Sequence, residues 1–197
     1  VPQYLSLSRL TSPAVEPVTV AEAKAHLRVD TSDDDTYIGT LITTAREWCE
    51  AYLDRTLINT QWRLRLQRFP TDSQYPITLP RPPVVSSGTA TAVSITYTHE
   101  SGSTATLSTA QYRVQRFETP GRVTTVYGGT WPAGMEDNDA VQVTWWAGYG
   151  ATGSSVPAAI RNAILLYVHE LYEKRGNAEP PDAARSLLDS VGRSFSQ

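Results

Sequence analysis

The chain has 197 residues, enough for one ordinary domain or two small ones, and 40% of them are hydrophobic against 19% charged. With 17 basic and 20 acidic side chains its formal net charge is -3, so there is no broad positive field for gripping phosphates. The single cysteine, Cys49, rules out an internal disulfide, and no apolar run approaches the roughly 20 residues of a bilayer span; both point to a soluble chain folded in a reducing compartment.

Residues 1–18 hold three prolines and little periodicity, which predicts an extended N-terminal arm, ordered only where it touches something. Thr19 and Glu22 then form an S/T-x-x-E capping box that opens a helix over Val20 to Arg28. Asp33, Asp34 and Asp35 set negative charge where a second helix begins, favouring the positive end of its dipole. That second helix carries the clearest pattern in the sequence: Ile38, Leu41, Ile42, Ala45, Trp48, Cys49, Tyr52 and Leu53 recur at three- and four-residue steps. Such a stripe needs a partner, because packing supplies more stability than helix propensity does.

The matching stripe lies far along the chain. Ser154 or Ser155 as cap, Pro157 in the first turn, and then Ile160, Ala163, Ile164, Tyr167, Val168, Leu171 and Tyr172 predict a helix running to about Arg175, with Gly176 as its stop. Between the two helices the period changes to alternation. Trp62, Leu64 and Leu66 alternate with Arg63, Arg65 and Gln67, and short strands are predicted over 93–97, 112–114, 123–127 and 141–145, separated by Gly and Pro turns. After Gly176, Pro180-Pro181 breaks the chain and Asp182 can cap a last short helix with Ala184, Leu187, Leu188 and Val191 on one face.

The predicted fold is therefore α+β: an antiparallel helical scaffold of two long helices with short flanking helices, at 19–57 and 149–176, interrupted by a small antiparallel β-domain inserted at 58–148. Residues 177–197 form a C-terminal tail with a short helix.

Little in the sequence speaks for catalysis. His26, His99 and His169 lie on three separate elements without metal-ligand spacing, and His169-Glu170-Leu171-Tyr172-Glu173 departs from the zinc helix H-E-x-x-H at its fifth position. The aspartate run lacks the glycine and distal glutamate of a calcium loop, and reads as helix capping. Cys49 lies on the apolar stripe, where a buried thiol is ordinary filler. No nucleophile elbow, P-loop or dinucleotide fingerprint is present, so neither a catalytic residue nor a cofactor or metal site is assigned. The adjacent Trp145 and Trp146 must face opposite sides of a strand, one for the core and one for an edge or an interface.

The order of motifs resembles a known family, the head-to-tail adaptor (connector or head-completion) proteins of tailed bacteriophages and gene transfer particles. The resemblance rests on Val18-Thr19-Val20-Ala21-Glu22-Ala23-Lys24-Ala25-His26-Leu27-Arg28-Val29, the acidic patch after it, and Glu50-Ala51-Tyr52-Leu53-Asp54-Arg55-Thr56-Leu57. It continues in Thr60-Gln61-Trp62 and Leu79-Pro80-Arg81-Pro82-Pro83-Val84, then in Ala147-Gly148-Tyr149-Gly150, Val156-Pro157, Ala163-Ile164-Leu165-Leu166 and Tyr172-Glu173-Lys174-Arg175. It implies a non-enzymatic virion protein, made in the host bacterial cytoplasm, that forms a ring, typically of twelve subunits, beneath the portal protein. Such a ring extends the DNA channel, lets DNA pass without sequence-specific binding, and offers a platform to the next neck or tail-completion protein. A tail-completion or baseplate component that binds a partner through the β-domain is the alternative.

Under that resemblance, Arg46, Glu50, Arg55, Glu173 and Arg175 are the candidates for contacts between subunits. Leu187, Leu188, Val191 and Phe195 are the candidates for docking on the portal, because the tail helix has little of its own to bury its apolar face. Its deletion is then expected to leave the stability of the subunit nearly unchanged.

Overall fold

The computed structural model describes residues 4–72, 75–85, 93–133 and 139–192. The fold is α+β, with antiparallel sheets and, among the described residues, four α-helices. In chain order the elements are β1 (Tyr4–Arg9), α1 (Val20–Leu27), α2 (Asp35–Leu53), β2 (Thr60–Leu66), β3 (Ile77–Leu79), β4 (Val93–Thr98), β5 (Thr104–Thr106), β6 (Tyr112–Gln115), β7 (Gly121–Thr125), β8 (Val141–Ala147), a 3-10 turn (Gly153–Ser155), α3 (Ala158–Glu173) and α4 (Asp182–Val191). They divide into two compact units. A helical unit runs from Pro13 to Ile58 and resumes at Tyr149, and a β unit holds Asn59–Gly148 together with β1.

In the helical unit, α1 opens on the capping box read from the sequence: Thr19 Oγ1 accepts from the Glu22 amide at 3.2 Å, and the Glu22 carboxylate accepts from the Thr19 amide at 2.8 Å. The stripe of α2 is buried as a set, with Ile38, Ala45, Cys49 and Leu53 at no exposure and Leu41 at 5%. It shares one core with Ile160, Ala163, Ile164, Val168 and Leu171 of α3. The start of α3 differs from the sequence expectation. Ser154 and Ser155 stand within 3.0 Å of the Thr152 hydroxyl, inside the 3-10 turn, so the helix proper begins only after Pro157. Gly176 ends the segment as expected: at φ 83° it turns its amide back to the Leu171 carbonyl at 2.6 Å.

The tail helix departs furthest from the sequence reading. Ala184 and Leu188 have no exposed surface, and Leu187 and Val191 pack partly buried against the same helical core. Tyr52 of α2 donates to the Asp189 carboxylate at 2.8 Å, and Tyr167 of α3 donates to the Ala178 carbonyl at 3.3 Å. The apolar face of α4 is too small to hold the helix alone, but α3 presents the complement that makes it stable. Deleting residues 181–197 should therefore destabilise the chain, by about 1.5–3 kcal/mol for the burial of Leu188 alone. Chemical denaturation of the truncated chain checks this; an unchanged midpoint would mean that α4 is not held by its own helical unit.

The β unit is two packed antiparallel sheets, one of order β1-β2-β8-β4-β5 and one of order β3-β7-β6. In β2 and β8 every other residue is buried, which turns Trp62, Leu64, Leu66, Val143 and Trp145 into a core shared with Ile77, Leu79 and Val123 of the second sheet. Tyr112 donates to the Val93 carbonyl at 2.8 Å, a buried bond from one sheet to the other. Three strands have no counterpart in the sequence reading. β1 occupies part of the expected N-terminal arm and pairs with β2 from Tyr4↔Leu66 to Arg9↔Trp62, while β3 and β5 have three residues each. The alternation that marks a strand is too short to detect in the latter two.

Candidate functional site

The residues singled out for assembly fall into three different environments. Arg46 and Glu50, expected at a subunit face, are instead only 3% exposed and paired inside the helical unit. Arg46 reaches Glu16 with Nε at 2.8 Å, Glu50 with Nη1 at 2.9 Å and, more weakly, Glu47 with Nη2 at 3.4 Å. Burial opposes the guanidinium charge, but Glu50 and Glu16 outweigh it and hold the Arg46 pKa above its ordinary value. The other Glu50 oxygen accepts from the Leu57 amide at 3.0 Å. One buried cluster thus fastens the segment before α1, the body of α2 and the residues after it. The reason for the difference is geometric. Helical spacing places Arg46 and Glu50 one turn apart, but the sequence alone does not reveal that Glu16 folds over them.

Arg55 is half-buried and donates to the Tyr149 hydroxyl at 3.1 Å. Its Nε is shielded and has no hydrogen-bond partner among the described residues. Glu173 and Arg175, at the end of α3, are exposed; the Arg175 guanidinium lies 5.9 Å from the Tyr172 ring, whose hydroxyl donates to Asp34 at 2.5 Å. Of the four tail residues, Leu188 is fully buried, Leu187 and Val191 are half-buried, and Phe195 lies outside the described residues.

Cys49 lies in the helical core, where burial, and then the nearby Glu50 charge, push its thiol far above the usual range. A thiol reagent should therefore leave the native chain unmodified and react with Cys49 only on unfolding. Rapid labelling of the native chain would mean that this core opens locally. His26 and His169, on separate helices in the sequence, meet edge to face with ring centroids 6.0 Å apart. Among the described residues no group of three or more His, Cys, Asp or Glu side chains is placed to hold a metal ion.

The β unit adds surfaces that the sequence reading left open. Trp145 is fully buried while Trp146 is half-exposed on the opposite face of β8, as their adjacency requires. Phe117 and Tyr127 are 101% and 99% exposed. The first stands at the turn of the β6–β7 hairpin and the second at its open end. Nothing in the sequence distinguishes these two rings from core aromatics, because each lies just beyond a strand that does alternate.

Residues 17–113 match the family model of the phage gp6-like head-tail connector protein. Three solved structures are similar along 98% of this chain and 98% of their own: the neck of an empty GTA particle computed with C6 symmetry (21% identity, TM-score 0.78), the virion of a native gene transfer agent particle (22%, 0.77), and the neck of a native GTA particle computed with C12 symmetry (22%, 0.75). At these identities the likeness establishes a shared fold. No curated protein matches the sequence.

Proposed function

We propose that the chain is the subunit of a head-to-tail connector, a ring of twelve copies beneath the portal of a phage or phage-like particle that extends the DNA channel and joins capsid to tail. In this reading it is a helical scaffold interrupted by an inserted β-domain, resident in the neck of the virion, with shape and interfaces as its work. The observation that carries the proposal is the family match over residues 17–113; the chain-long likeness in fold to particles whose necks were computed with C6 and C12 symmetry supports it. A ring needs a head-to-tail contact that closes under rotation. A formal charge of -3 suits a channel that must not hold the DNA sliding through it.

Arg55, Glu173 and Arg175 are the helical-unit side chains proposed for contacts between subunits, since Arg46 and Glu50 are internal. Docking on the portal is proposed for the rim of the tail, through Leu187, Val191 and Phe195, with Leu188 holding α4 in place. Immunogold labelling of purified particles through an epitope tag on the chain tests the location. A single cluster at the head-tail joint is expected. Label at the distal end of the tail would favour a tail-completion or baseplate component, whose β unit would then offer Phe117 and Tyr127 to a partner.

A further inference from the structure

The outer face of the five-stranded sheet is a polar surface built in register. Ser8, Arg63, Thr144 and Ser94 form one row across four strands, and Ser6, Arg65, Gln142, Thr96 and Thr106 form the next across five. Trp146 stands beside Gln61 in the row above. Apart from Thr106, which is exposed, all of these are half-exposed, whereas their neighbours along the two central strands, such as Leu64, Val143 and Trp145, are buried in the core. Tryptophan and arginine are the side chains enriched at the energetic centres of interfaces; the serines and threonines beside them carry no such signal.

Charge says what would cover it. The β unit carries eight arginines and no lysine against six acidic residues, whereas the helical unit carries 14 acidic against nine basic residues. The arginine fork suits carboxylates more than a lysine point charge does. Arg63 Nε is shielded from solvent and has no hydrogen-bond acceptor among the described residues. Arg65 leans on Asp139 at 3.3 Å, and its side chain keeps 31% of its surface exposed. In the helical unit, Asp30 and Asp33 of the loop between α1 and α2 are exposed, while their neighbours Asp34 and Asp35 are engaged by Tyr172 and Lys24.

We propose that this sheet face is one half of the contact between copies of the chain. The Arg63, Arg65 and Trp146 face of one subunit receives the Asp30 and Asp33 loop of the next. The two halves are different surfaces of the chain, and used once each per neighbour they make a heterologous contact that propagates from subunit to subunit around a ring. The inference rests on the ring reading above, and it names the surfaces that the reading leaves unassigned.

The test is incorporation of full-length variants into particles, counted by quantitative mass spectrometry against the major capsid protein. Arg63→Glu with Arg65→Glu, and separately Asp30→Arg with Asp33→Arg, should each lower incorporation more than tenfold. Combining all four changes in one chain should restore it to within about twofold, which also shows that the variants fold. Normal incorporation of either double variant would overturn the proposal, as would a fourfold variant that stays excluded. Loss with the arginine pair but not with the aspartate pair would assign the face to another acidic protein. If the unaltered chain were itself absent from the neck, the ring reading would fail first, an outcome distinct from all of these.

Discussion

Replacing Arg46 by Ala should destabilise the chain by about 3–5 kcal/mol, the range for breaking a buried ion pair by removing one partner. The cause is less the lost attraction than what remains: Glu50, 3% exposed, would lose the guanidinium that meets its carboxylate at 2.9 Å, and Glu16 would lose its hold on α2. Arg46→Met combined with Glu50→Gln should cost clearly less than Arg46→Met alone. The amide still accepts from Leu57, and no buried carboxylate charge stays at that position. Urea denaturation of the three variants measures the coupling. Equal losses for the single and the double variant would mean that the two side chains do not stabilise each other.

The second large effect concerns the seam between α2 and α3. Leu41→Ala or Ile164→Ala should cost about 2–5 kcal/mol, because each removes a buried side chain from a close-packed core and leaves a cavity that its neighbours only partly fill. For a chain of this size that corresponds to about 2–4 °C in Tm for each kcal/mol. Ile164, with no exposure, should sit at the upper end and Leu41, at 5%, somewhat lower. Losses below about 1 kcal/mol for both would show that the two helices are not mutually buried.

These helices were legible in the sequence because their signals are local and repeated. Four turns of apolar spacing mark α2, the Thr19–Glu22 box marks the start of α1, and Gly176 marks the end of α3. The strands β2 and β8 were legible for the same reason, each alternating over seven residues. The rest depends on what meets what. β1 alternates its two leucines with two serines over only six residues and becomes a strand by pairing with β2. The burial of α4 requires the surface of α3, and the neutralisation of Arg46 requires Glu16, 30 residues earlier in the chain. The candidate surfaces behaved likewise. Exposure at Arg175 and Glu173 follows from their position at a helix end, whereas the polar rows on the outer sheet face arise from register, which five separate segments set together.

The central claim is that this chain closes into a neck ring, and cryo-electron microscopy of intact particles tests it most directly. Twelve copies are expected in a ring between capsid and tail, each folded as two units, the outer face of the five-stranded sheet turned to the α1–α2 loop of the adjacent copy. A reconstructed neck with no density for this chain, or with the chain found only at the distal tail, would contradict it.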